Sequence, residues 1–428
     1  MKLRHSVACL LLLAITTVLA AQSRPKAVDA PPVVPPLPSD PLFDDTVVHD
    51  IYLTVNSRDW QSLKDHYLDN TYYPANFKWR DQTFRNVGIR SRGHASRSPI
   101  KPSLRVDFNR YVTDGEFLGL TALVLRNNSQ DASSGMHERI SMLLFNRMGA
   151  PFAREAHARL FINNEFSGLY SLVEEPDGKM AQRLFNESAG NVYEFTYNPG
   201  DPPYYLEDRG PDPAQYVPAP FEPKTHESDP HAEVIEEFIR TLNDSDGVFR
   251  SLMPNYVDFT NLIRHIALEM VIGDLDGFHG QFAVTNFDVY RLAHTKLLMF
   301  MPWDKSGAFA GEPTLTIWHD LLDVPAEKRN RLTMRVLGFA DLKSQLLDTL
   351  VATANSTIQL DPLNPLDTRG WMEREIEREY QQISDFAAVA PEDLALYSKA
   401  QFEQEVARLR DFARRRADFV RAEVAAAR

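Results

Sequence analysis

Residues 266–309 read IALEMVIGDLDGFHGQFAVTNFDVYRLAHTKLLMFMPWDKSGAF, and this stretch decides how the rest of the chain is interpreted. The pattern predicts the end of an apolar helix, an acidic turn with Asp274 and Asp276, and a strand that carries Asn286. A second apolar strand follows and ends at Asp304. Carboxylate and amide oxygens therefore stand at the ends of adjacent rigid elements. Such an arrangement is how a phosphoryl-transfer site presents a base and a metal ion.

The N-terminus is typical of a secretory signal peptide over residues 1–20. Lys2 and Arg4 precede the apolar run SVACLLLLAITTVLA, and small residues stand at the cleavage positions. The alternative is a signal anchor that is retained. The only cysteine, Cys9, lies inside this segment, so we expect the mature chain to depend on its own apolar core for stability. The sequence predicts a secreted or extracytoplasmic protein, in the periplasm or at the cell surface, with no membrane span after cleavage.

Residues 21–42 are rich in proline and predict an extended linker, which leaves residues 43–428 for one large folded domain. The formal net charge is −13, and two of the basic residues belong to the predicted signal peptide. Such a balance disfavours nucleic acid and anionic membrane surfaces as partners. It does not exclude a nucleotide, because a local basic pocket with a divalent ion outweighs a distant acidic surface. The oligomeric state stays open.

Strand patterns dominate the first half of the chain. Alternating apolar residues predict strands over 46–56, 86–93, 103–109 and 120–127. A helix is predicted to start at residue 57, with Ser57 or Asp59 as its cap. A second helix is predicted over residues 134–150, with Ser133 or Ser134 as its cap.

The second half of the chain has mainly helical patterns. Before it, residues 157–177 predict a hairpin of two aromatic-rich strands with its turn at residues 163–165. Residues 196–230 are dense in Pro, Asp and Tyr and predict a long insertion, ordered or floppy, between the halves. Helices are then predicted over 231–242, 258–273 and much of the C-terminal third. The predicted fold class is α+β with a two-lobe tendency: a β-rich lobe at about 43–195 and a helical lobe at 231–428.

Several common catalytic motifs are missing from the sequence. His137 and Glu138 do not begin an HExxH motif, because Ser141 stands in the place of the second histidine. Neither a GxSxG nucleophile elbow nor a Walker A sequence occurs. No carboxylate pair at an assignable spacing supports a polysaccharide-acting enzyme. The stretch 266–309 therefore carries the functional interpretation together with the segments that accompany it.

Five segments, in this order along the chain, carry a family resemblance. They are IRSRGHASRSPIKPSLRVDF (89–108), LVLRNNSQDASSGMHERISMLL (123–144), INNEFSGLYSLVEEPD (162–177), NFDVYR (286–291) and FMPWDKSGAF (300–309). With them the chain resembles the CotH family, whose members have an atypical protein-kinase-like fold. The resemblance covers roughly residues 45–310, and the helical tail is also similar to the end of family members.

The resemblance implies a secreted protein kinase that transfers the γ-phosphoryl of ATP to Ser, Thr or Tyr of an extracytoplasmic protein, with Mg²⁺ or Mn²⁺. Asp304 resembles the metal-holding Asp of kinases, and an acid directly after a buried apolar strand requires a partner such as a metal ion. Asn286 adds an amide oxygen as a metal ligand. Asp276 is the candidate catalytic carboxylate, with Asp274 as its alternative. The other interpretation of these two acids is a hydrated turn.

Three further residues are candidates for contacts with the nucleotide. Lys101 follows a polar loop and is predicted to reach the phosphates, with Arg92 as a helper; the alternative is a solvated surface lysine. Glu174 ends the predicted hairpin where a linker between kinase-like lobes would lie. It is predicted to contact the adenine or ribose side of the nucleotide, or else to cap the strand.

The sequence also departs from the family pattern. Family members commonly carry a second acid two residues after the metal-binding Asp, and here that residue is Ser306, which removes a charge from the metal site. The chain has no glycine-rich loop of the ordinary kinase type, and Gln281 stands where ordinary kinases have the catalytic-loop Asn. These departures support an alternative function: a non-catalytic, secreted kinase-like protein that binds a surface protein or a carbohydrate.

Overall fold

The strands of the chain are short runs rich in β-branched and aromatic residues, which pack well on a pleated surface. The computed structural model describes residues 36–131, 133–197, 201–280, 284–388 and 396–428. The predicted signal peptide and most of the predicted linker lie outside these ranges. Seven strands form a closed barrel: β1 His49–Val55, β2 Tyr73–Trp79, β3 Gln82–Ser91, β4 Leu104–Asp107, β5 Ala122–Arg126, β6 Glu155–Ile162 and β7 Glu165–Glu174. A second sheet has four: β8 Asn191–Phe195, β9 Phe221–Pro223, β10 Phe287–Arg291 and β11 Leu298–Pro302.

Most helices follow the insertion, as the sequence predicts. The helices of the described ranges are α1 Ser57–Asp65, α2 His137–Arg147, α3 Gly178–Phe185, α4 Ala232–Asn243, α5 Asp246–Leu252, α6 Phe259–Ile272, α7 Arg331–Gly338, α8 Ala340–Thr357, α9 Trp371–Ile383 and α10 Lys399–Ala427. The chain is therefore α+β, with strands concentrated in the N-terminal half and helices in the C-terminal half. The two late strands β10 and β11 are the exception, and they frame the functional site.

The barrel is closed and filled by side chains. Its strands are ordered β1-β2-β3-β4-β5-β7-β6, and a parallel pairing of β1 with β6 closes it. Inside, the ring of Phe77 lies 5.3 Å from that of Phe108 and 5.1 Å from that of Phe117, both edge-on. These contacts are of the favourable aromatic type. The barrel interior is thus a packed core.

The predicted hairpin is confirmed as β6 and β7. Ile162 pairs with Glu165, so the turn consists of Asn163 and Asn164. Both have left-handed backbones, with φ of 52° and 70°. A two-residue hairpin turn of this kind requires two positive φ angles, and asparagine tolerates them better than most residues.

The segment predicted as an insertion packs into the protein where it is described, over residues 201–230. Tyr204, Tyr216 and Phe221 are buried in the largest apolar core, together with residues of α4 and α6. Phe221 also begins β9, which pairs with β8. Of the two possibilities that the sequence left open, this part of the chain is ordered, because it buries several large aromatic rings.

Helix α6 presents the acidic turn and is fixed at both ends. Asp258 caps its start by accepting hydrogen bonds from two backbone N–H groups, and Gly273, with φ of 60°, ends it. The last carbonyls of α6 would otherwise lack partners. The buried guanidinium of Arg416 in α10 donates to the carbonyls of Met270 and Val271, at 2.7 and 2.9 Å. The C-terminal helix therefore holds the end of α6 in place.

The cap of α1 differs from the prediction. Asn56 accepts the hydrogen bond from the N–H of Arg58 at 2.9 Å, so neither Ser57 nor Asp59 is the cap. Strand β1 ends at Val55, and the next residue is therefore the first that can leave the extended conformation and turn its side chain toward the helix.

The cap of α2 also differs in part. Asp131 accepts hydrogen bonds from the N–H groups of Met136, His137 and Glu138, at 3.0 to 3.3 Å. Of the two predicted caps, Ser134 contributes one hydrogen bond, from Met136 at 3.2 Å. A carboxylate at this position suits the positive end of the helix. Asp131 thereby fixes the start of the helix that carries Glu138.

Residues Pro38–Arg428 group into one compact unit. The packed chain begins inside the segment predicted as linker, because Asp40–Leu42 form a short 3-10 helix and Leu42 is fully buried. None of the helices in the described ranges has both the length and the apolar character that a membrane span requires.

Candidate active site

A cavity of about 700 Å³ lies where the barrel strands, the second sheet and the turn after α6 meet. Its volume is in the range of ordinary ligand pockets. Of the residues predicted to form a site, the cavity is lined by Arg92, Asp276, Asn286 and Asp304. Asp274, Lys101 and Glu174 are not among its lining residues.

The two predicted metal ligands stand at strained positions of the backbone. Asn286 precedes β10 with φ of 55°, and Asp304 follows β11 with φ of 47°. Left-handed residues other than glycine are uncommon, and they cluster at functional sites. The N–H of Trp303 donates to the carbonyl of Asn286 at 3.1 Å, so the two strained residues are held side by side.

The structure separates the two candidate carboxylates, Asp274 and Asp276. Asp274 is fully buried, and its Oδ2 lies 3.1 Å from the ammonium of Lys305. Asp276 is half-buried and lines the cavity, and its Oδ2 accepts a hydrogen bond from the Asn286 amide at 3.0 Å. Burial, together with the nearby charges of Asp274 and Asp304, raises the pKa of Asp276 to about 6. Only Asp276 is therefore positioned to meet a ligand.

Lys305 is a buried residue of the site that the sequence analysis missed. Its ammonium is fully buried and contacts Glu269 at 2.5 Å, Asp274 at 3.1 Å and the carbonyl of Asn286 at 2.9 Å. Burial alone would lower the pKa of Lys305, but the two carboxylates raise it above its ordinary value. The sequence could have indicated this residue. A lysine that directly follows a candidate metal ligand at the end of a buried strand requires buried partners for its charge.

Asp304 is held by a cation and a hydroxyl. Its side chain is 24% exposed, and its Oδ1 lies 2.8 Å from Nη1 of Arg126. The hydroxyl of Ser306 donates to the same oxygen at 2.7 Å. Burial opposes ionisation of this carboxyl, but Arg126 and Ser306 lower the pKa of Asp304 below its ordinary value. Asp304 is therefore an anion.

Arg126, at the end of β5, is the central cation of the cavity, and the sequence analysis did not identify it. Its Nη1 also lies 2.9 Å from Glu138 of α2, and its guanidinium stacks on Trp303 at 4.5 Å from the ring centroid. Within the described part of the chain, its buried Nε and Nη2 have no hydrogen-bond partner. Such enclosed donors are costly to leave unsatisfied, and the contacts with Asp304, Glu138 and Trp303 hold the guanidinium in place.

A buried acid pair lies next to Arg126. Burial raises the pKa of Glu138 to about 7, although Arg126 opposes the rise. Burial and the neighbouring Glu138 raise the pKa of Glu155 well above its ordinary value. Both oxygens of Glu155 lack hydrogen-bond partners among the described residues when the acid is taken as ionised. A proton shared by the pair would join the two acids and leave a single negative charge beside Arg126.

The donor set fits a divalent cation of the Mg²⁺ or Mn²⁺ type. Within the described residues, Asp304 Oδ2 and Asn286 Oδ1 have no hydrogen-bond partner, because the bonds of these side chains involve Oδ1 and Nδ2 instead. No group of three His, Cys, Asp or Glu side chains that could hold a metal occurs in those residues. Mg²⁺ typically uses one or two carboxylates and takes further oxygens from phosphates and water.

Arg92 is a second arginine that lies beside the ring of Trp303. Its guanidinium is 4.8 Å from the ring centroid, and the residue lines the cavity. The indole is thus close to two guanidinium groups. Arg92 lines the same cavity as Asp276, Asn286 and Asp304.

Lys101 lies elsewhere, in contrast to the prediction. Its side chain is 5% exposed and turns toward β7, where its ammonium contacts the carbonyl of Leu169 at 2.9 Å. It lies 4.9 Å from the ring centroid of Tyr170. Burial lowers the pKa of Lys101 to about 7. The barrel wall, and not the cavity, therefore contains this amine.

Glu174 also lies outside the cavity. It is buried between Arg154 and Arg183, at 2.7 and 2.5 Å. Its neighbour Glu175 does line the cavity and pairs with Arg105 at 2.9 Å. Glu174 is therefore not placed for the predicted contact with a nucleotide in this cavity, because neighbouring residues along an extended chain point to opposite faces.

The arrangement as a whole resembles a kinase-like site: an arginine on a strand pairs with a helix glutamate, beside the two predicted metal ligands and the predicted catalytic acid. The chain belongs to the CotH family, since the family described as CotH kinase protein matches residues 89–420.

Similarity to solved structures is more distant. The Helicobacter pylori proinflammatory kinase CtkA aligns with 8% identity and a TM-score of 0.29, over 76% of this chain and 94% of CtkA. HipA of Shewanella oneidensis MR-1, in a complex of toxin–antitoxin proteins HipA and HipB with operator DNA, aligns with 11% identity and a TM-score of 0.35. That alignment covers 76% of this chain and 66% of the other. No curated protein matches the chain.

Proposed function

We propose that this chain is a two-lobed, ATP-dependent protein kinase that phosphorylates Ser, Thr or Tyr of a protein outside the cytoplasm. The observation that carries the proposal is the cavity, in which Arg126, Asp276, Asn286 and Asp304 converge from four separate segments of the chain. Family membership over residues 89–420 supports the same chemistry. The barrel would form one lobe and the helices the other, with the cavity between them.

In this proposal the chain's cations bind the phosphates. Arg126 and Arg92 both line the cavity and would direct their positive charges at phosphate oxygens. Asp304 and Asn286 would hold Mg²⁺ or Mn²⁺. The bound ion would neutralise part of the negative charge of the phosphates.

Asp276 would orient and deprotonate the acceptor hydroxyl. A general base works best when its pKa is near the operating pH, and the raised pKa of Asp276, about 6, meets this condition better than an ordinary aspartate. The amide of Asn286 hydrogen-bonds both the carbonyl and the carboxylate of Asp276, at 2.6 and 3.0 Å. The same asparagine would thus connect the base and the metal ion.

The place of action and the domain limits belong to the proposal. The signal-peptide pattern at residues 1–20 supports export to the periplasm or cell surface, with residues 43–428 as the working domain. The acidic net charge supports a protein and not a nucleic acid as the acceptor.

One observation favours the alternative, a non-catalytic kinase-like binding protein. Arg126 contacts Asp304 directly, and Ser306 occupies a second hydrogen bond of the same oxygen. In such a protein, the arginine would replace the metal ion as the permanent partner of Asp304, and the cavity would bind its ligand without transfer.

The experiment is phosphate transfer by the purified mature protein with labelled ATP and Mn²⁺, using the protein itself and casein as acceptors. We expect labelling by the wild type, none by Asp304→Ala, and unchanged labelling by Asp323→Ala, which alters an exposed aspartate outside the cavity lining. A wild type that neither binds nucleotide nor becomes labelled would refute the kinase proposal and favour the alternative. Labelling that persists in Asp304→Ala would refute the site.

A further inference from the structure

The buried ammonium of Lys305 has no role in the phosphoryl transfer proposed above. It is fully buried beneath the cavity and has three acceptors, two of them carboxylates: Glu269 at 2.5 Å, Asp274 at 3.1 Å, and the carbonyl of Asn286 at 2.9 Å. An isolated ammonium would be costly to bury, but three oxygen partners satisfy all three of its N–H groups. The cation is therefore a fixed part of the site.

Lys305 joins the segments that carry the metal ligands and the base. Its own turn packs against the acidic turn, where a Cβ added at Gly307 would meet the Cβ of Asp276 at 2.8 Å. The N–H of Leu275 donates to the carbonyl of Gly307 at 3.3 Å. Lys305 contacts the carbonyl of Asn286, and Asp304 directly precedes Lys305 in the sequence. One ammonium thus touches or adjoins every acid-bearing segment of the site.

The balance of charge around the cavity follows from these contacts. Four carboxylates lie in the connected segments, on Glu269, Asp274, Asp276 and Asp304. Lys305 lies between the first two, which are completely buried, and its positive charge offsets one of their two negative charges. Ser306 hydrogen-bonds Asp304 and brings no further negative charge. The ammonium therefore occupies the position between Glu269 and Asp274 in which a second divalent cation would bind, and Asp304 remains as the carboxylate for one divalent cation.

We infer that Lys305 is a built-in cation of the active site, and that the site in consequence takes one divalent ion, at Asp304 and Asn286, for each nucleotide bound. The count of ions rests on the proposed function. The role of Lys305 itself does not, since Glu269 and Asp274 would attract a cation in its absence whether or not a nucleotide binds.

The first test counts ions in the wild-type protein. After equilibrium dialysis with Mn²⁺ and a non-hydrolysable ATP analogue, the excess of Mn²⁺ on the protein side is divided by the excess of nucleotide. We expect a ratio of one. A ratio of two would overturn the inference. Absence of bound nucleotide would overturn the proposed function and leave the second test to decide on Lys305.

The second test uses Mn²⁺ alone and measures thermal unfolding of Lys305→Ala, which opens space beside Glu269 and Asp274. We expect Mn²⁺ to raise the Tm of this variant by several degrees more than it raises that of the wild type. Lys305→Met, which fills the space with an apolar chain, should respond no more than the wild type. A Tm of Lys305→Ala that does not respond to Mn²⁺, or responds equally in Lys305→Met, would refute the built-in cation. Should Lys305→Ala fold only when Mn²⁺ is present, that dependence supports it.

Discussion

Replacing Lys101 by methionine should make the protein more stable near neutral pH. The amine lies in the barrel wall at 5% exposure, with the carbonyl of Leu169 as its hydrogen-bond acceptor. Burial lowers its pKa from 10.5 to about 7, because no carboxylate among its described contacts compensates the charge. At neutral pH, folding must therefore either bury a charge or remove a proton from the amine. Methionine has a similar length and avoids both costs.

The size of the effect follows from the shift of the pKa. Each unit corresponds to about 1.4 kcal/mol, so a shift of about 3.5 units costs the folded state on the order of 5 kcal/mol at and below pH 7. The variant loses one hydrogen bond to a buried carbonyl, which costs about 1 to 3 kcal/mol. The net gain for Lys101→Met near pH 7 is therefore about 2 to 4 kcal/mol.

The gain should depend on pH with a definite sign. The unfolded chain holds the lysine proton more tightly than the folded chain does, so the stability of the wild type rises as pH increases from 7 to 10.5. Above that window the amine is neutral in both states, and the wild type keeps its hydrogen bond. The difference between the two proteins should therefore shrink with pH and reverse near its upper end.

Urea unfolding followed by tryptophan fluorescence at pH 7 and pH 10 measures both free energies by linear extrapolation. Lys328→Met, at an exposed position, is the matched control and should show no difference that depends on pH. Since Lys101 does not line the cavity, nucleotide affinity should also be unchanged in Lys101→Met. A variant less stable at pH 7, or one that loses nucleotide binding while it stays folded, would refute this placement of the side chain.

Three further substitutions test the site and its supports. Arg92→Ala should weaken nucleotide binding about tenfold, the effect of one charge-assisted hydrogen bond, without changing Tm; calorimetry measures the affinity, and an unchanged value would exclude Arg92 from phosphate contact. Glu379→Gln should lower the free energy of unfolding by about 3 kcal/mol in urea, because it breaks a fully buried ion pair with Arg139. Gly273→Ala should cost about 1 to 2 kcal/mol at φ of 60°, and an equally stable variant would show that the end of α6 relaxes.

Features that depend on local backbone chemistry could be predicted from the sequence. The turn at Asn163 and Asn164 follows from residues that tolerate positive φ between two strand patterns. The end of α6 at Gly273 follows from an apolar helix pattern that meets a glycine. The positions of Asn286 and Asp304 at strand ends follow for a similar reason, since each is a polar residue where an apolar strand begins or ends.

The direction of a side chain was harder to predict than its position along the chain. Lys101 and Glu174 each stand within a few residues of the cavity in sequence, but their side chains turn toward the protein interior. Successive side chains of a strand point to opposite faces, so a shift of one position along the strand moves a side chain from the cavity to the core. This is why Glu175 lines the cavity in place of Glu174.

Arg126 shows a different limit, because its role depends on partners that are distant in sequence. It ends the run LVLR as Asp304 ends LLMFMPWD, so the argument that identified the aspartate, a charge directly after a buried strand, applied equally to the arginine. What the sequence could not show is that α2 places Glu138 beside it and that β11 brings Asp304 to 2.8 Å. A buried charge at the end of a strand indicates that the charge has a partner. Only the folded structure determines whether that partner is a metal ion, a ligand or another residue of the chain.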